Sequence, residues 1–131
     1  TGAPAAQVTL TAYGYMAELA RQAMLQMAYE EEIFVELIVP TRLTPFDCTE
    51  VIESVGRTGR MLTIEEGGLT LGWGAEVIAR VSENLPGEKL VISRVAARDL
   101  PVPAAVSLEK QVLPQVEDIL RAVRKVVRHG K

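Results

Sequence analysis

The chain has 131 residues with a formal net charge of -3, of which 48% are apolar and 24% charged, the make-up of one soluble domain that buries a core without staples. Its single cysteine, Cys48, excludes an internal disulfide and a cysteine-based zinc site within one chain, and the mildly acidic balance, with cations gathered near the end, speaks against a general nucleic-acid binder. No apolar run approaches the roughly 20 residues of a membrane span and no secretory signal is legible, so a cytoplasmic or organelle-matrix location is expected.

Thr1 to Gln7, T-G-A-P-A-A-Q, reads as linker, and a start at Thr1 rather than Met suggests a processed or excised piece. Val8 to Tyr13 is β-branched and aromatic, hence a strand. Gly14 then opens a helix whose apolar positions Met16, Leu19, Ala20, Ala23, Met24 and Met27 share one face. Glu30, Glu31 and Glu32 oppose the dipole at its end and read as a solvated turn. Ile33 to Val39 is a second strand, closed by Pro40.

Asp47 and Glu50 have the spacing of a capping box, with Phe46 and Val51 as its hydrophobic staple. The helix they open turns Val51, Ile52 and Val55 inward and stops near Gly59 in a left-handed C-cap. Cys48 falls in its first turn. The dipole there favours thiolate, but Asp47 and Glu50 oppose it, and a structural role is expected.

Met61 to Ile64 is a short buried strand. Behind it Glu65 to Gly74, E-E-G-G-L-T-L-G-W-G, reads as a Gly-rich turn into a helix with apolar positions Ala75, Ile78, Ala79 and Leu85. In a parallel sheet that turn opens at the carboxyl edge, where open α/β folds place ligands. N-L-P-G-E-K is a turn and Leu90 to Ala96 a fourth strand. Arg98 to Pro103 holds two prolines and reads as an extended connection. Pro114 suits the first turn of a last helix with Val116, Ile119, Leu120, Val123 and Val127 on its apolar face. Its charges, Glu117 and Asp118 early and Arg121, Arg124, Lys125 and Arg128 late, complement the dipole. That basic stripe could also meet an acidic partner.

Four near-continuously apolar strands alternating with four helices specify an α/β protein: a three-layer α/β/α sandwich with helices on both faces and right-handed crossovers. No self-contained active site is legible. Gly67, Gly68, Gly72 and Gly74 lack the G-x-G-x-x-G order, no Lys-Ser/Thr pair follows, and Glu65 and Glu66 would repel a phosphate. The two glutamates could split their pKa values as acid and base, but strand neighbours point to opposite faces. A glutamate at a strand end more often bonds backbone. His129 stands alone in the tail, leaving no catalytic triad or histidine metal cluster.

Several runs together resemble the C-terminal domain shared by transketolase and the beta subunits of the thiamine-diphosphate-dependent 2-oxoacid dehydrogenases. They are V-T-L-T-A-Y-G at Val8 to Gly14, R-L-T-P-F-D at Arg42 to Asp47, E-S-V-G-R-T-G-R at Glu53 to Arg60 and G-W-G-A-E at Gly72 to Glu76. D-L-P-V-P at Asp99 to Pro103, S-L-E at Ser107 to Glu109 and L-P-Q-V-E-D-I at Leu113 to Ile119 complete the set. The resemblance covers the chain from Val8 on. It implies a transketolase C-terminal-like domain over residues 8–131, with four parallel strands in the order 2-1-3-4 and the family's antiparallel edge strand missing.

It also implies a fragment of an oxidoreductase acting on pyruvate, branched-chain 2-oxoacids or acetoin, inactive alone. Thiamine diphosphate and Mg would belong to the parent enzyme's other domains, with no cofactor, metal or catalytic residue here. The implied partners are the alpha subunit, a second beta subunit in a homodimer, and dihydrolipoyl acyltransferase, with neither nucleic acid nor membrane among them. Glu65, Glu66, Gly72, Trp73 and Glu76 form the candidate interface or ligand turn, and Glu88 with Lys89 the candidate acyltransferase contact. This sequence departs from the family pattern at three places: Val39 to Leu43 reads V-P-T-R-L where beta subunits carry D-L-R-T-L, Leu71 replaces a glycine, and Lys89 stands where many members are acidic. A transketolase or deoxyxylulose-phosphate synthase domain is the alternative within the family. An autonomous ligand-binding module using the Glu65 to Gly74 turn is the alternative outside it.

Overall fold

Every residue of V-T-L-T-A is buried, and that strand, β1 (Val8–Ala12), sits inside the sheet. The computed structural model describes residues 4–43, 45–97 and 113–129. Around β1 the chain lays down α1 (Tyr15–Glu31), β2 (Val35–Ile38), α2 (Thr49–Thr58), β3 (Arg60–Gly68), α3 (Trp73–Asn84), β4 (Val91–Ala97) and α4 (Val116–Arg128). The sheet is parallel throughout, in the order β2-β1-β3-β4, as expected.

The pleat divides the core in two. Val8, Leu10 and Ala12 of β1 and Leu62 and Ile64 of β3 turn to one face, where α1 and α4 cover them. Met61 turns to the other, under Val51 and Val55 of α2 and Val77 and Val81 of α3. The two clusters are the two interfaces of a three-layer sandwich. The second face is partly polar, because Thr9, Thr11, Thr63 and Glu65 point the same way and are buried.

Local differences from the sequence reading have physical causes. Helix α1 runs through Glu31 and ends at Glu32, which takes the left-handed conformation (φ 53°). The acidic run is therefore mostly helical, not a solvated turn, because Arg124 of α4 grips both oxygens of Glu31 at 2.8–3.1 Å. The Asp47 capping box does not form: Asp47 Oδ1 accepts from the N–H and hydroxyl of Thr49 (2.9 and 2.6 Å), and α2 starts after Cys48 without a side-chain cap. The chain's capping box is at α4, where Gln115 and Asp118 bond reciprocally, which places Pro114 just before the helix. Helix α3 buries Val77 and Val81 rather than Ala79, which is exposed. Helix α4 buries Val126 more fully than Val127. Strand β2 is shorter than Ile33 to Val39. Gly59 ends α2 in the left-handed conformation (φ 71°), as read. The Arg98 to Pro103 connection and the D-L-P-V-P and S-L-E runs lie outside the described residues.

Candidate functional site

Strand β3 is longer than the run Met61 to Ile64 because the glutamates and first glycines behind it stay extended through Gly68. Ile64 pairs with Val95 and Gly68 with Ala97, so four steps along β3 match two along β4, a bulge of two residues. The bulge covers Glu65, Glu66 and Gly67. The two carboxylates part as the pleat requires: Glu65 is 2% exposed on the α3 face and Glu66 is exposed.

Glu65 is the centre of the turn. Its Oε1 accepts the backbone N–H of Trp73 at 3.1 Å, and its Oε2 that of Gly74 at 2.5 Å. These are the first two residues of α3, whose N-cap, Gly72, has no side chain to serve the free amides. A carboxylate eight positions upstream thus caps the helix and meets the positive end of its dipole. The glycines follow from that wrapping. A Cβ on Gly74 would stand 2.5 Å from Thr63 Oγ1 and 2.7 Å from Glu65 Oε2, one on Gly67 2.9 Å from Glu65 Oε1, and one on Gly72 against the Gly68 carbonyl. The amides a phosphate would need at this helix start are engaged by the protein's own carboxylate.

Trp73 leaves the turn edge-on to Tyr13, with ring centroids 4.9 Å apart, and lies 5.5 Å from the Phe46 ring. Burial, then the Glu65 and Glu66 charges, raise the Tyr13 phenol above its usual value. Glu76 pairs with Arg80 at 2.7 Å, and Arg80 Nη1 donates to the Phe46 carbonyl, tying α3 to the segment before α2. Cys48 is the buried last residue of that segment, and burial raises its thiol pKa against the opposing pull of Arg80. That is the inert, structural setting expected of it.

The turn residues Glu65, Glu66, Gly72, Trp73 and Glu76 are therefore together at the carboxyl edge. Glu88 and Lys89 are elsewhere, exposed in the turn that enters β4 at the opposite edge of the sheet. Of the basic stripe, Arg124 is spent on Glu31 and Arg121 lies 3.3 Å from Asp118. His129 is exposed after α4. Among the described residues no group of three or more His, Cys, Asp or Glu side chains could hold a metal ion, and no helix is long and apolar enough to cross a membrane. The amides of Trp73 and Gly74 at the start of α3 are taken up by Glu65.

One cluster escaped the sequence reading. Thr9 Oγ1 lies 2.6 Å from Ser54 Oγ and 2.9 Å from Thr58 Oγ1. Ser54 donates at 2.6 Å to Glu36 Oε1, which also receives Arg57 Nη2 at 2.9 Å. Since Ser54 gives its proton to Glu36, Thr9 gives its own to Ser54, and the hydrogen-bond chain runs from β1 through α2 to β2. Its signal in the sequence is the run E-S-V-G-R-T-G-R, whose spacing alone carries no chemical reason for such a cluster. Ser54, Arg57 and Thr58 supply it.

The family model for the transketolase C-terminal domain matches residues 3–119. The chain belongs to the transketolase C-terminal domain family. Relatives include the mitochondrial pyruvate dehydrogenase E1 component subunit beta-1 of Oryza sativa subsp. japonica, 36% identical over 119 residues, 90% of this chain and 32% of that protein. The pyruvate dehydrogenase E1 subunit beta of Rickettsia bellii is 36% identical over 91% of this chain and 37% of that protein. The chain thus spans about a third of the length of these relatives. Among solved structures, a split-gene transketolase, an inactive beta4 tetramer, superposes with a TM-score of 0.83 at 25% identity, covering 98% of this chain and 41% of that one. A 2-oxoglutarate:ferredoxin oxidoreductase from Magnetococcus marinus, at 15% identity and a TM-score of 0.59 over 97% of this chain and 19% of that one, shares the fold.

Proposed function

We propose that this domain assembles and docks subunits of a thiamine-diphosphate-dependent 2-oxoacid dehydrogenase, as the C-terminal part of its beta subunit, and performs no chemistry alone. The observation that carries the reading is the likeness to E1 beta subunits over nine-tenths of the chain at about 36% identity. The Glu65 cap supports it, because the carboxyl-edge turn spends its amides on holding α3 in place. Thiamine diphosphate and Mg then belong to the other domains of the parent, in the cytoplasm or the mitochondrial matrix, and residues 1–7 link this domain to them. The beta4 tetramer of the split-gene transketolase supports association of such chains with one another, here as a homodimer. That same structure favours a second reading, the C-terminal domain of a transketolase-type enzyme.

On the leading reading, the turn with exposed Glu66 and Glu76 and half-buried Trp73 meets neighbouring domains, and the opposite edge with Glu88 and Lys89 meets the acyltransferase. The test is a pair of titrations. Thiamine diphosphate with Mg should leave the amide spectrum of Glu65 to Gly74 unchanged and pyruvate should not be consumed, whereas an acyltransferase subunit-binding domain should perturb Glu88 and Lys89. Saturable binding of the cofactor at the turn, or unaided turnover, would contradict the reading.

A further inference from the structure

The two edges of this sheet are built differently. Strand β2 is four residues long, carries Glu36 in its middle and is followed closely by Pro40, features that discourage another strand from pairing there. Strand β4 is seven residues, V-I-S-R-V-A-A, with one charge and no proline. Its outer side pairs with no strand among the described residues. The backbone groups of alternate residues therefore face outward as a ready template.

Hollows flank that edge on both faces of the sheet. Toward α4 lies one of about 300 Å³, lined by Ser93 and Val95 of the strand and by Asp118, Arg121 and Lys125 of the helix. Toward α3 lies one of about 540 Å³, lined by Ala75, Ile78, Ile92 and Arg94. An added strand sends alternate side chains to opposite faces, so it would fill both at once. The two differ in chemistry. The α4 side offers two cations against one carboxylate, and Lys125 makes no ion pair among the described residues. The α3 side is mostly apolar, with Ser93 and Arg94 as its polar residues, and Arg94 Nη1 donates to the Leu69 carbonyl at 2.8 Å.

We propose that the edge of β4 receives an extended segment of a partner protein as a fifth strand, with acidic side chains over Arg121 and Lys125 and small apolar ones over Ala75 and Ile78. Charge selects the partner. Pairing β4 with its twin antiparallel about its middle residue would set Arg94 against Arg94 of the second copy, a repulsion that disfavours self-pairing. Backbone pairing gives such docking its affinity and the alternate side chains its selectivity. This surface adjoins the Glu65 turn at Leu69, which lines both hollows, but lies away from Glu88 and Lys89, and it does not depend on which reaction the parent enzyme performs.

The test uses this chain with a short fluorescein-labelled peptide alternating glutamate and valine. Two controls are the peptide with lysine for glutamate and the peptide N-methylated at alternate amides. The expected result is saturable anisotropy change with new amide-exchange protection across Val91 to Ala97. Binding should weaken about ten-fold or more, roughly 1.4 kcal/mol, for either control and for the double variant Arg121→Glu/Lys125→Glu, whose exposed positions leave the fold intact by circular dichroism. Absence of binding at millimolar peptide, equal binding of the N-methylated peptide, or protection appearing elsewhere would each overturn the proposal.

Discussion

The carboxylate of Glu65 and the amide of Gly74, nine positions apart, meet at the start of α3 and fix how the chain leaves the sheet. Glu65→Gln keeps the shape but turns an N–H donor toward an N–H donor, leaving a buried amide unsatisfied. The expected loss is about 1–3 kcal/mol, read as a fall in the midpoint of urea unfolding at unchanged slope. Unchanged stability would mean the cap is dispensable.

Gly74→Ala tests the same relationship from the other side. The added methyl would lie 2.5 Å from Thr63 Oγ1 and 2.7 Å from Glu65 Oε2, and crowding of this kind costs about 1–3 kcal/mol. Thermal unfolding should occur several degrees lower. Gly87→Ala is the control, since its Cβ meets nothing within 4 Å, although its φ of 80° carries a strain of its own.

Ser54→Ala should expose the hydroxyl network through its acid. The Ser54 hydrogen bond, followed by Arg57, holds the Glu36 carboxyl below its usual 4.5. Stability from that shift is present above the unfolded value and is lost as pH falls through the folded one. In Ser54→Ala the folded pKa of Glu36 should climb back toward the usual value, moving the acid loss to higher pH, as carbon-detected NMR titration would show. An unmoved Glu36 would mean Arg57 alone sets it.

Leu71 is 97% exposed in the left-handed conformation at φ 56°. A leucine pays about 1–2 kcal/mol there that glycine does not. Leu71→Gly should leave the folded chain equally or more stable despite glycine's looser unfolded state. Clear destabilisation would show that the side chain is held by something other than solvent.

The sheet was legible because its signals are local: five buried residues in β1, punctuation by Gly59 and Pro40, and a family resemblance that supplied the order. The ends of elements were not, because remote partners decide them. Nothing near Glu31 in sequence announces Arg124, 93 positions away, which keeps α1 helical into its acidic run. That Glu65, at a strand end, bonds backbone was legible, but not which amides it serves, because those of Trp73 and Gly74 lie eight and nine positions on. The Asp47 capping box had the right spacing, yet Thr49, two residues on, competes better for the carboxylate than the amide of Glu50. At Gln115 a side chain rarely named in that role made the box instead.

Sedimentation equilibrium of the chain over a wide concentration range tests the assembly role most directly. The account predicts concentration-dependent self-association to at least a dimer. A single monomeric species at every concentration would contradict it.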